Sequence, residues 1–294
     1  MLLFISILIL LLLLLIFHNA VINGTQNGLL LWYQTLIPSL LPFLLLTNAL
    51  SETNAYQAFA SHFQKHKPKL IYESLAIILG NLCGYPIGGK IINDFVSNQH
   101  ISSKRANKIL ALSSQASPMF LIGYVHMHIL KNLIPLPVFL LCIYIPVLLA
   151  FPHLYKNKKS TNQVSYAVRQ KKIFICDTFM HAVETMVIIG MYVIIFSILL
   201  EIAMPYCHND ITAVCLSFLE ITTGLKLLSS LELPPDIQIG LICALSSFGG
   251  ICSAFQIKGV LNYENAGIKK YLLDKLLLSS GTFLLALLYL SFTD

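Results

Sequence analysis

Leu79-Gly-Asn-Leu-Cys-Gly-Tyr-Pro-Ile-Gly-Gly-Lys-Ile91 is the stretch of sequence that decides the fold. It lies in an apolar segment that begins near Leu70, yet it contains four glycines, a proline, an asparagine and a lysine. Gly and Pro interrupt helical hydrogen bonding, and non-helical backbone at membrane depth is tolerated only where protein covers it or where it lines a watery cavity. The stretch therefore predicts a re-entrant hairpin at a binding site, from Leu70 to about Val96.

The composition is that of a membrane protein. Hydrophobic residues make up 56% of the 294 positions, charged residues 11%, and the mean hydropathy is +0.76. These values predict a polytopic protein whose surroundings are the lipid bilayer. The formal net charge of +6 comes from short basic clusters between apolar runs. Positive cytoplasmic loops explain these clusters better than nucleic-acid binding does, so we expect no nucleic-acid partner.

The seven cysteines and nine histidines are scattered along the chain. They include no Cys-x-x-Cys pair and no convergent cluster, so we expect neither a disulfide framework nor a metal site. The sequence also shows no nucleophile and base pair and no phosphate-binding loop, so we expect no catalytic residues and no enzyme activity. We expect no cofactor other than a coupling proton or Na⁺ ion.

The apolar runs predict an all-α protein with about seven transmembrane helices and two re-entrant hairpins. A neutral loop, His18–Asn27, follows the first span, which we expect to be uncleaved. The second hairpin is Ile211–Leu231. Polar stretches interrupt two spans, at Ser113–Pro118 and Ser246–Gly250, and predict discontinuous helices. The predicted spans are residues 2–17, 28–50, 104–130, 133–151, 173–203, 237–257 and 269–290.

An internal repeat organises these elements. The tetrapeptide Ala-Leu-Ser-Ser occurs at 111–114 and at 244–247, each time opening the polar break of a span that follows a hairpin. Each half reads as span, hairpin, broken span, span, and three crossings per half require the second copy to be inverted. The predicted segments are 1–27 (first span and loop), 28–151 (first repeat), 152–173 (basic cytoplasmic loop) and 174–294 (second, inverted repeat).

The charge distribution predicts the orientation. With a cytoplasmic amino terminus, only Lys131 and Lys226 of the 19 basic residues fall on the outer side. The remainder, including Lys275 at a span end, fall on the inner side, as the positive-inside rule expects. We therefore expect a multi-pass protein of the bacterial cell membrane. Its first hairpin enters from the cytoplasm and its second from outside.

Two ionisable residues are candidates for substrate binding. Lys90 follows the helix break and could meet an anionic substrate; alternatively it reaches the cytoplasmic interface or pairs with Asp94. Glu220 could bind a coupling ion or a polar substrate group; alternatively it ties the hairpin together or pairs with Lys226. Further candidates supply hydrogen-bonding side chains or exposed backbone, although each alone could equally cap a broken helix or bond a neighbouring span. These are Asn81, Gly84, Tyr85, Gly88, Ser114, Gln115, Ser117, Thr222, Thr223, Ser246, Ser247 and Gln256.

Four stretches together carry a resemblance to a known family. They are Gly-Tyr-Pro-Ile-Gly-Gly-Lys (84–90), Ser-Gln-Ala-Ser-Pro-Met-Phe (114–120), Glu-Ile-Thr-Thr-Gly (220–224), and Ser-Phe-Gly-Gly (247–250) with Gln256. Over residues 28–290 the chain resembles the YlbJ (SpoVV) family of sporulation membrane proteins. That family carries the nucleoside-recognition "Gate" domain and is similar to concentrative nucleoside transporters. The resemblance implies a transporter: the sporulation branch is associated with moving dipicolinic acid into the forespore, and the nucleoside branch moves nucleosides with a coupling cation.

The leading functional hypothesis is a secondary transporter linked to sporulation, placed in the forespore membrane if the organism sporulates. Its cargo would be a small polar, anionic heteroaromatic solute such as dipicolinate, moved by alternating access. The alternatives are a transporter of a nucleoside or another metabolite, and a non-transporting sporulation scaffold that uses the basic loop 156–172 as a partner surface. Passive channel behaviour and a homo-oligomer are both compatible with the sequence.

Overall fold

A computed structural model of the chain describes residues 2–52, 68–152 and 175–292. Within these ranges the chain is helical and forms no strand, which confirms the all-α class. Most of the polar connection after residue 50, and the predicted basic loop 156–172, lie outside the described residues. Two segments, Trp32–Leu36 and Phe120–Ile129, are π-helical. The α-helices are α1 Leu2–Ile16, α2 His18–Leu31, α3 Ile37–Glu52, α4 Pro68–Cys83, α5 Ile87–Ser97, α6 Ser103–Ile109, α7 Leu136–Ala150, α8 Ile175–Ala203, α9 Asp210–Ser217, α10 Ile221–Ser230, α11 Pro235–Phe248, α12 Gly250–Val260 and α13 Ile268–Ser291.

Four helical runs in the described chain are long and apolar enough to cross a membrane, judged by length and composition. They are His18–Leu50, Phe179–Tyr206, Pro235–Val260 and Ile268–Ser291. Shorter apolar helices cover Ile71–Cys83, Phe120–Ile129 and Leu136–Ala150. These helices are consistent with a polytopic membrane protein. The count of seven spans and the re-entrant character of the hairpins stay predictions.

The last helix shows how the fold divides apolar and polar side chains. Leu273 and Leu277 on α13 are 63% and 72% exposed, and Leu284 and Leu288 continue the same outward stripe. Polar residues of α13, Lys275, Ser279 and Thr282, are buried on the opposite face. An apolar outer face suits contact with lipid, where buried polar groups must find partners inside the protein. The functional chemistry of this fold therefore lies in its interior.

The neutral loop predicted at His18–Asn27 is wrong, because these residues form most of α2. α2 packs along α8 through glycines that let the two backbones touch. A Cβ on Gly24 would lie 2.6 Å from the Cα of Ile198, and a Cβ on Gly28 would lie 2.8 Å from the Cα of Ile194. Small residues four positions apart are a common contact between membrane helices. The glycines thus form a helix interface rather than a loop.

α1 joins α2 without a loop. Phe17 N donates to Leu13 O at 3.0 Å and Val21 N donates to Phe17 O at 2.9 Å, but Phe17 has a φ of −96° and a ψ of 31°, outside the helical region, so it separates the two helices. The π-helical segment Trp32–Leu36 then links α2 to α3. Only Phe17 therefore lies between α1 and α2, and the first two predicted spans are not separated by the predicted loop.

α4 and α5 form the first pair of short helices, joined by a break at the predicted place. α4 ends at Cys83, Gly84 has a φ of +84°, and α5 begins at Ile87. The two helices come close beside the break, since a Cβ on Gly88 would lie 3.2 Å from the Cα of Gly80. Glycine is needed at position 84 because its φ lies in the left-handed region.

α9 and α10 form the second pair, with the break at residues 218–220. Here a Cβ on Gly224 would lie 1.9 Å from the carbonyl oxygen of Ser217, so only glycine fits. Each pair is followed by an interrupted span. α6 and the π-helical segment Phe120–Ile129 flank a stretch without regular structure at 114–117, and α11 and α12 meet at Gly249, whose φ is +86°.

One end of the molecule is held together by polar contacts between elements that are distant in sequence. The Asn107 side chain on α6 accepts hydrogen bonds from Tyr263 Oη (2.8 Å) and Gly267 N (3.0 Å) in the α12–α13 connection. Arg105 pairs with Glu73 on α4 through two hydrogen bonds of 2.7 and 2.8 Å. The start of α4, the start of α6 and the α12–α13 connection therefore lie at the same end.

Candidate functional site

The break of the α4–α5 pair binds the break of the span that follows it. Tyr85 N donates to Gln115 O at 3.0 Å. The Asn81 side chain donates to Leu112 O at 2.8 Å. A Cβ on Gly88 would lie 1.9 Å from the carbonyl oxygen of Ser113, so this glycine allows the two segments to touch. The first break thus exposes its backbone to another broken helix and not to an intact one.

The break of the α9–α10 pair binds the second interrupted span in the same manner. Ile251 N donates to Phe218 O and Cys252 N to Leu219 O, both at 2.9 Å. The two breaks also approach each other, because a Cβ on Gly249 would lie 3.0 Å from Cε1 of Tyr85. Four interruptions of helical structure therefore meet in the interior.

Glu220 is the N-cap of α10 and is 1% exposed. One carboxylate oxygen accepts from Thr222 Oγ1 (3.0 Å), and the other accepts from Thr223 N (2.7 Å) and Thr223 Oγ1 (2.8 Å). A carboxylate at a helix N-terminus is favoured by the helix dipole and by the unpaired amides there. These contacts bring three predicted site residues together and hold the acidic group at the second break.

A small cavity lies between the break of the α4–α5 pair and the break of the α9–α10 pair. Its volume is about 20 Å³, which is enough for one water molecule or one small ion. Its polar lining includes Tyr85, Glu220, Ser253 and Gln256. Leu36, at the end of the π-helical segment Trp32–Leu36, is part of its apolar wall. The full lining is Leu36, Leu40, Tyr85, Ile189, Val193, Glu220, Ile221, Gly249, Cys252, Ser253 and Gln256.

Lys275, which sequence reasoning placed at an inner span end, lies in the interior and has no exposed surface. Its ammonium group donates to Ser114 O (3.0 Å), to Gln115 Oε1 (2.9 Å) and to Ser247 O. The span-end placement is therefore wrong. The sequence did contain a signal, the adjacent Asp274. Neighbouring residues in a helix face different directions, so Asp274 and Lys275 cannot pair with each other, and Lys275 must find its partners elsewhere. Asp274 instead lies 3.9 Å from Lys270.

Gln115 connects the lysine to the cavity. Its side-chain oxygen accepts from Lys275, while its backbone oxygen accepts from Tyr85 N, which belongs to a cavity-lining residue. On the other side, Ser247 lies two residues before Gly249, which also lines the cavity. A change in the hydrogen bonds of the ammonium group can therefore affect the cavity walls either through Gln115 and Tyr85 or through Ser247 and Gly249.

Lys90 lies away from this cavity. It is half-buried on α5, and its ammonium group donates to Asn48 Oδ1 on α3 at 2.7 Å. It is absent from the cavity lining, which draws on other residues of the same helix pair. The predicted direct contact between Lys90 and a bound anion stays a prediction.

Several predicted site residues have local roles in the helices. Ser117 Oγ accepts from Phe120 N at 3.3 Å, and Ser246 Oγ donates to Ile242 O at 2.7 Å within α11. Gln256 Nε2 donates to Cys252 Sγ at 3.3 Å and also lines the cavity. Four polar atoms of predicted site residues are buried without a hydrogen-bond partner among the described residues. They are Asn81 Oδ1, Ser114 Oγ, Gln115 Nε2 and Ser247 Oγ.

Three of these four atoms, those of Ser114, Gln115 and Ser247, belong to residues that also provide an oxygen to Lys275. Buried polar atoms nearly always bind protein, water or a ligand, so their concentration at one place indicates a polar site. Within the described residues, no group of three or more His, Cys, Asp or Glu side chains converges to hold a metal ion. The chemistry of this region is hydrogen bonding to oxygen and nitrogen.

Comparison with known proteins gives one informative likeness. The chain is 20% identical to the sporulation integral membrane protein YlbJ of Bacillus subtilis (strain 168), in an alignment that covers 88% of this chain and 75% of that protein. No protein family profile matches the chain. No solved structure matches it either. The likeness supports the predicted YlbJ-like resemblance, and together with the apolar helices it supports a membrane location.

Proposed function

We propose that this chain is a secondary transporter that binds a small polar solute where its two helix pairs and two interrupted spans meet. The observation that carries the proposal is the contact between breaks: Tyr85 N with Gln115 O, and Ile251 N with Phe218 O. In secondary transporters, discontinuous helices expose backbone groups to substrate and coupling ions near the middle of the membrane. A protein with a purely structural role has no need of four such interruptions at one place.

Alternating access gives a reason for the small size of the cavity. Space for about one water molecule cannot hold a metabolite, so a solute would be bound only after the two breaks separate. The walls come from the first long helix, from α8 and from both helix pairs, which are parts of both proposed repeats. Relative movement of these parts would enlarge the cavity and open it to one side of the membrane.

The orientation is part of the proposal. The α4–α5 pair would enter from the cytoplasm and the α9–α10 pair from outside, as an inverted repeat requires. A cytoplasmic amino terminus, predicted from the distribution of basic residues, belongs to the same proposal.

The first cargo to test is a dipicolinate-like anion, because the resembling family implies it and because the similar Bacillus protein is named for sporulation. A forespore membrane location would follow from the same link. A nucleoside is the second candidate, and one observation favours it: the ionisable carboxyl in the cavity lining is Glu220, whereas Lys90 contacts Asn48. A carboxylate accepts hydrogen bonds from sugar hydroxyls and repels a carboxylate ligand.

Uptake into proteoliposomes tests the proposal. Labelled dipicolinate and labelled uridine would be offered to the wild type, Glu220→Gln, Lys90→Ala and the control Glu232→Gln, which changes an exposed carboxylate outside the cavity lining. We expect saturable uptake of one solute, lost in Glu220→Gln and kept in Glu232→Gln. Loss in Lys90→Ala as well would favour the anion, and uptake unaffected by Lys90→Ala would favour the nucleoside. Folded wild type that takes up neither solute would contradict both cargo assignments.

A further inference from the structure

We propose that Lys275 is the coupling group of this transporter, and that it carries a proton where other carriers bind a sodium ion. The ammonium group occupies a site built from the carbonyl oxygens of Ser114 and Ser247 and the amide oxygen of Gln115. Unwound carbonyls and the carboxyl ends of half-helices are the groups that coordinate coupling cations in transporters. Here a side chain of the protein itself fills that position.

The number of hydrogen bonds explains why the proton matters. An ammonium group has three N–H donors, and three oxygens accept them. After loss of the proton to water, the neutral amine keeps two donors and a lone pair. One of the three oxygens then has no donor, and a buried acceptor without a donor is costly. Deprotonation therefore weakens the attachment of α13 to one of the two interrupted spans, either at Ser114–Gln115 or at Ser247.

The surroundings of the ammonium group contain little other charge. In the part of the chain that the structure describes, no carboxylate lies within 4.0 Å of it. Tyr271 lies one turn earlier on α13, and Asp274 is adjacent in sequence and lies near Lys270. Four helices pack against α13, and they carry nine titratable groups. These are Cys142 and Tyr144 on α7, Asp236 and Cys243 on α11, Cys252 and Lys258 on α12, and Lys104, Arg105 and Lys108 on α6. Of these nine groups, only the three cysteines are buried.

The position of Lys275 suits coupling because it contacts both proposed repeats. Ser114 belongs to the first copy of Ala-Leu-Ser-Ser and Ser247 to the second. A protonated Lys275 holds the two copies together, and through Gln115 it holds the cavity wall at Tyr85. Loss of the proton would free one copy to move relative to the other. This gives a route by which proton release on one side of the membrane permits a change of access.

This inference rests on the proposed transport function, but its first test needs no cargo. Hydrogen exchange of the backbone amides in 111–118 and 245–252 would be followed in detergent, with rates corrected for the intrinsic effect of pH. In the wild type we expect protection of at least one break to fall about tenfold between about pH 6 and about pH 9, because full burial disfavours the charged form of a lysine and loss of the proton removes one bond from a charged donor. Lys269→Met, which changes an exposed lysine on the same helix, should behave as the wild type.

Lys275→Met and Lys275→Arg should both remove this pH dependence, because methionine never carries the proton and arginine never releases it. If one variant fails to fold, the other and the wild type still decide the matter. Constant corrected protection in the wild type would overturn the proposal, and so would a normal pH response in a folded Lys275→Met.

Coupling itself is read in proteoliposomes. An imposed pH gradient should drive accumulation of the cargo in the wild type, and a Na⁺ gradient should not. Exchange of cargo without any gradient would show transport independently of coupling. Exchange with a response to Na⁺ instead of pH would overturn the proton assignment and leave the transport function standing. A pH response at the breaks without cargo exchange would support the titrating site and count against the transport function.

Discussion

The carbonyl oxygens of Ser114 and Ser247 accept hydrogen bonds from the same ammonium group, that of Lys275. Each serine is the last residue of an Ala-Leu-Ser-Ser copy, one in each half of the chain. A short sequence repeat thus corresponds to two equivalent contacts with one central side chain. The contact also explains how two interrupted helices can be stable in the interior, because their free carbonyl groups are paired with a cation.

Replacing Lys275 by methionine should strongly destabilise the protein. The change leaves three buried oxygens without their donor, and we expect the free energy of unfolding to fall by about 3 kcal/mol or more. Unfolding in mixed detergent micelles measures this, with Lys269→Met as the control on the exposed side of α13. Equal stability of the two variants would show that the ammonium group does not hold the breaks.

Gly88→Ala should disrupt the contact between the first helix pair and the first break. Its Cβ would lie 1.9 Å from the carbonyl oxygen of Ser113, so one backbone must move. We expect a loss of at least about 2 kcal/mol in the free energy of unfolding. Gly123→Ala is the matched control, since its Cβ would meet nothing within 4 Å. A Gly88→Ala protein as stable as Gly123→Ala would contradict the described packing.

His100 should make stability depend on pH. It lies in the turn after α5 and stacks on Tyr72 with a ring separation of 4.2 Å, and burial lowers its pKa below 6.5. The unfolded chain therefore takes up a proton more readily, so this stability is present above about pH 6.5 and is lost as the pH falls below it. Unfolding measured at a series of pH values should show a smaller acid loss for His100→Gln than for the control His128→Gln, which changes an exposed histidine. The same acid loss in both variants would exclude His100 as the cause.

The inverted orientation is tested by cysteine labelling. On an otherwise cysteine-free background, Ser97→Cys at the end of α5 and Ser229→Cys near the end of α10 place thiols at exposed positions. An impermeant maleimide should label Ser97→Cys from the cytoplasmic side and Ser229→Cys from the outer side. Labelling of both from the same side would contradict the inverted repeat.

The sequence predicted the positions of the helix breaks well because their causes are local. Gly84 and Pro86 end one helix before the next begins, and Gly249 adopts a left-handed φ that other residues avoid. The polar residues at the breaks were also identified, including Glu220, Thr222 and Thr223, which the structure brings together. Such features are set by residues within one or two turns of one another.

The errors come from contacts between distant parts of the chain. His18–Asn27 was predicted to be a loop because the helix that Gly24 packs against, α8, lies about 170 residues away in the sequence. Lys275 suggested a span end because its three acceptors lie in other segments. Lys90 is near a break in sequence, but its contact with Asn48 depends on how α3 packs. A single sequence shows which residues interrupt a helix, not which segments those residues meet.

Counterflow in proteoliposomes tests the central claim most directly. Vesicles loaded with unlabelled solute and diluted into labelled solute distinguish a carrier, which exchanges one for the other, from a channel or a scaffold. We predict a transient accumulation of labelled dipicolinate or uridine above its external concentration, absent in Glu220→Gln and retained in Glu232→Gln. Folded wild-type protein that gives no such overshoot with either solute would contradict the assignment of this chain as an alternating-access carrier of these cargoes.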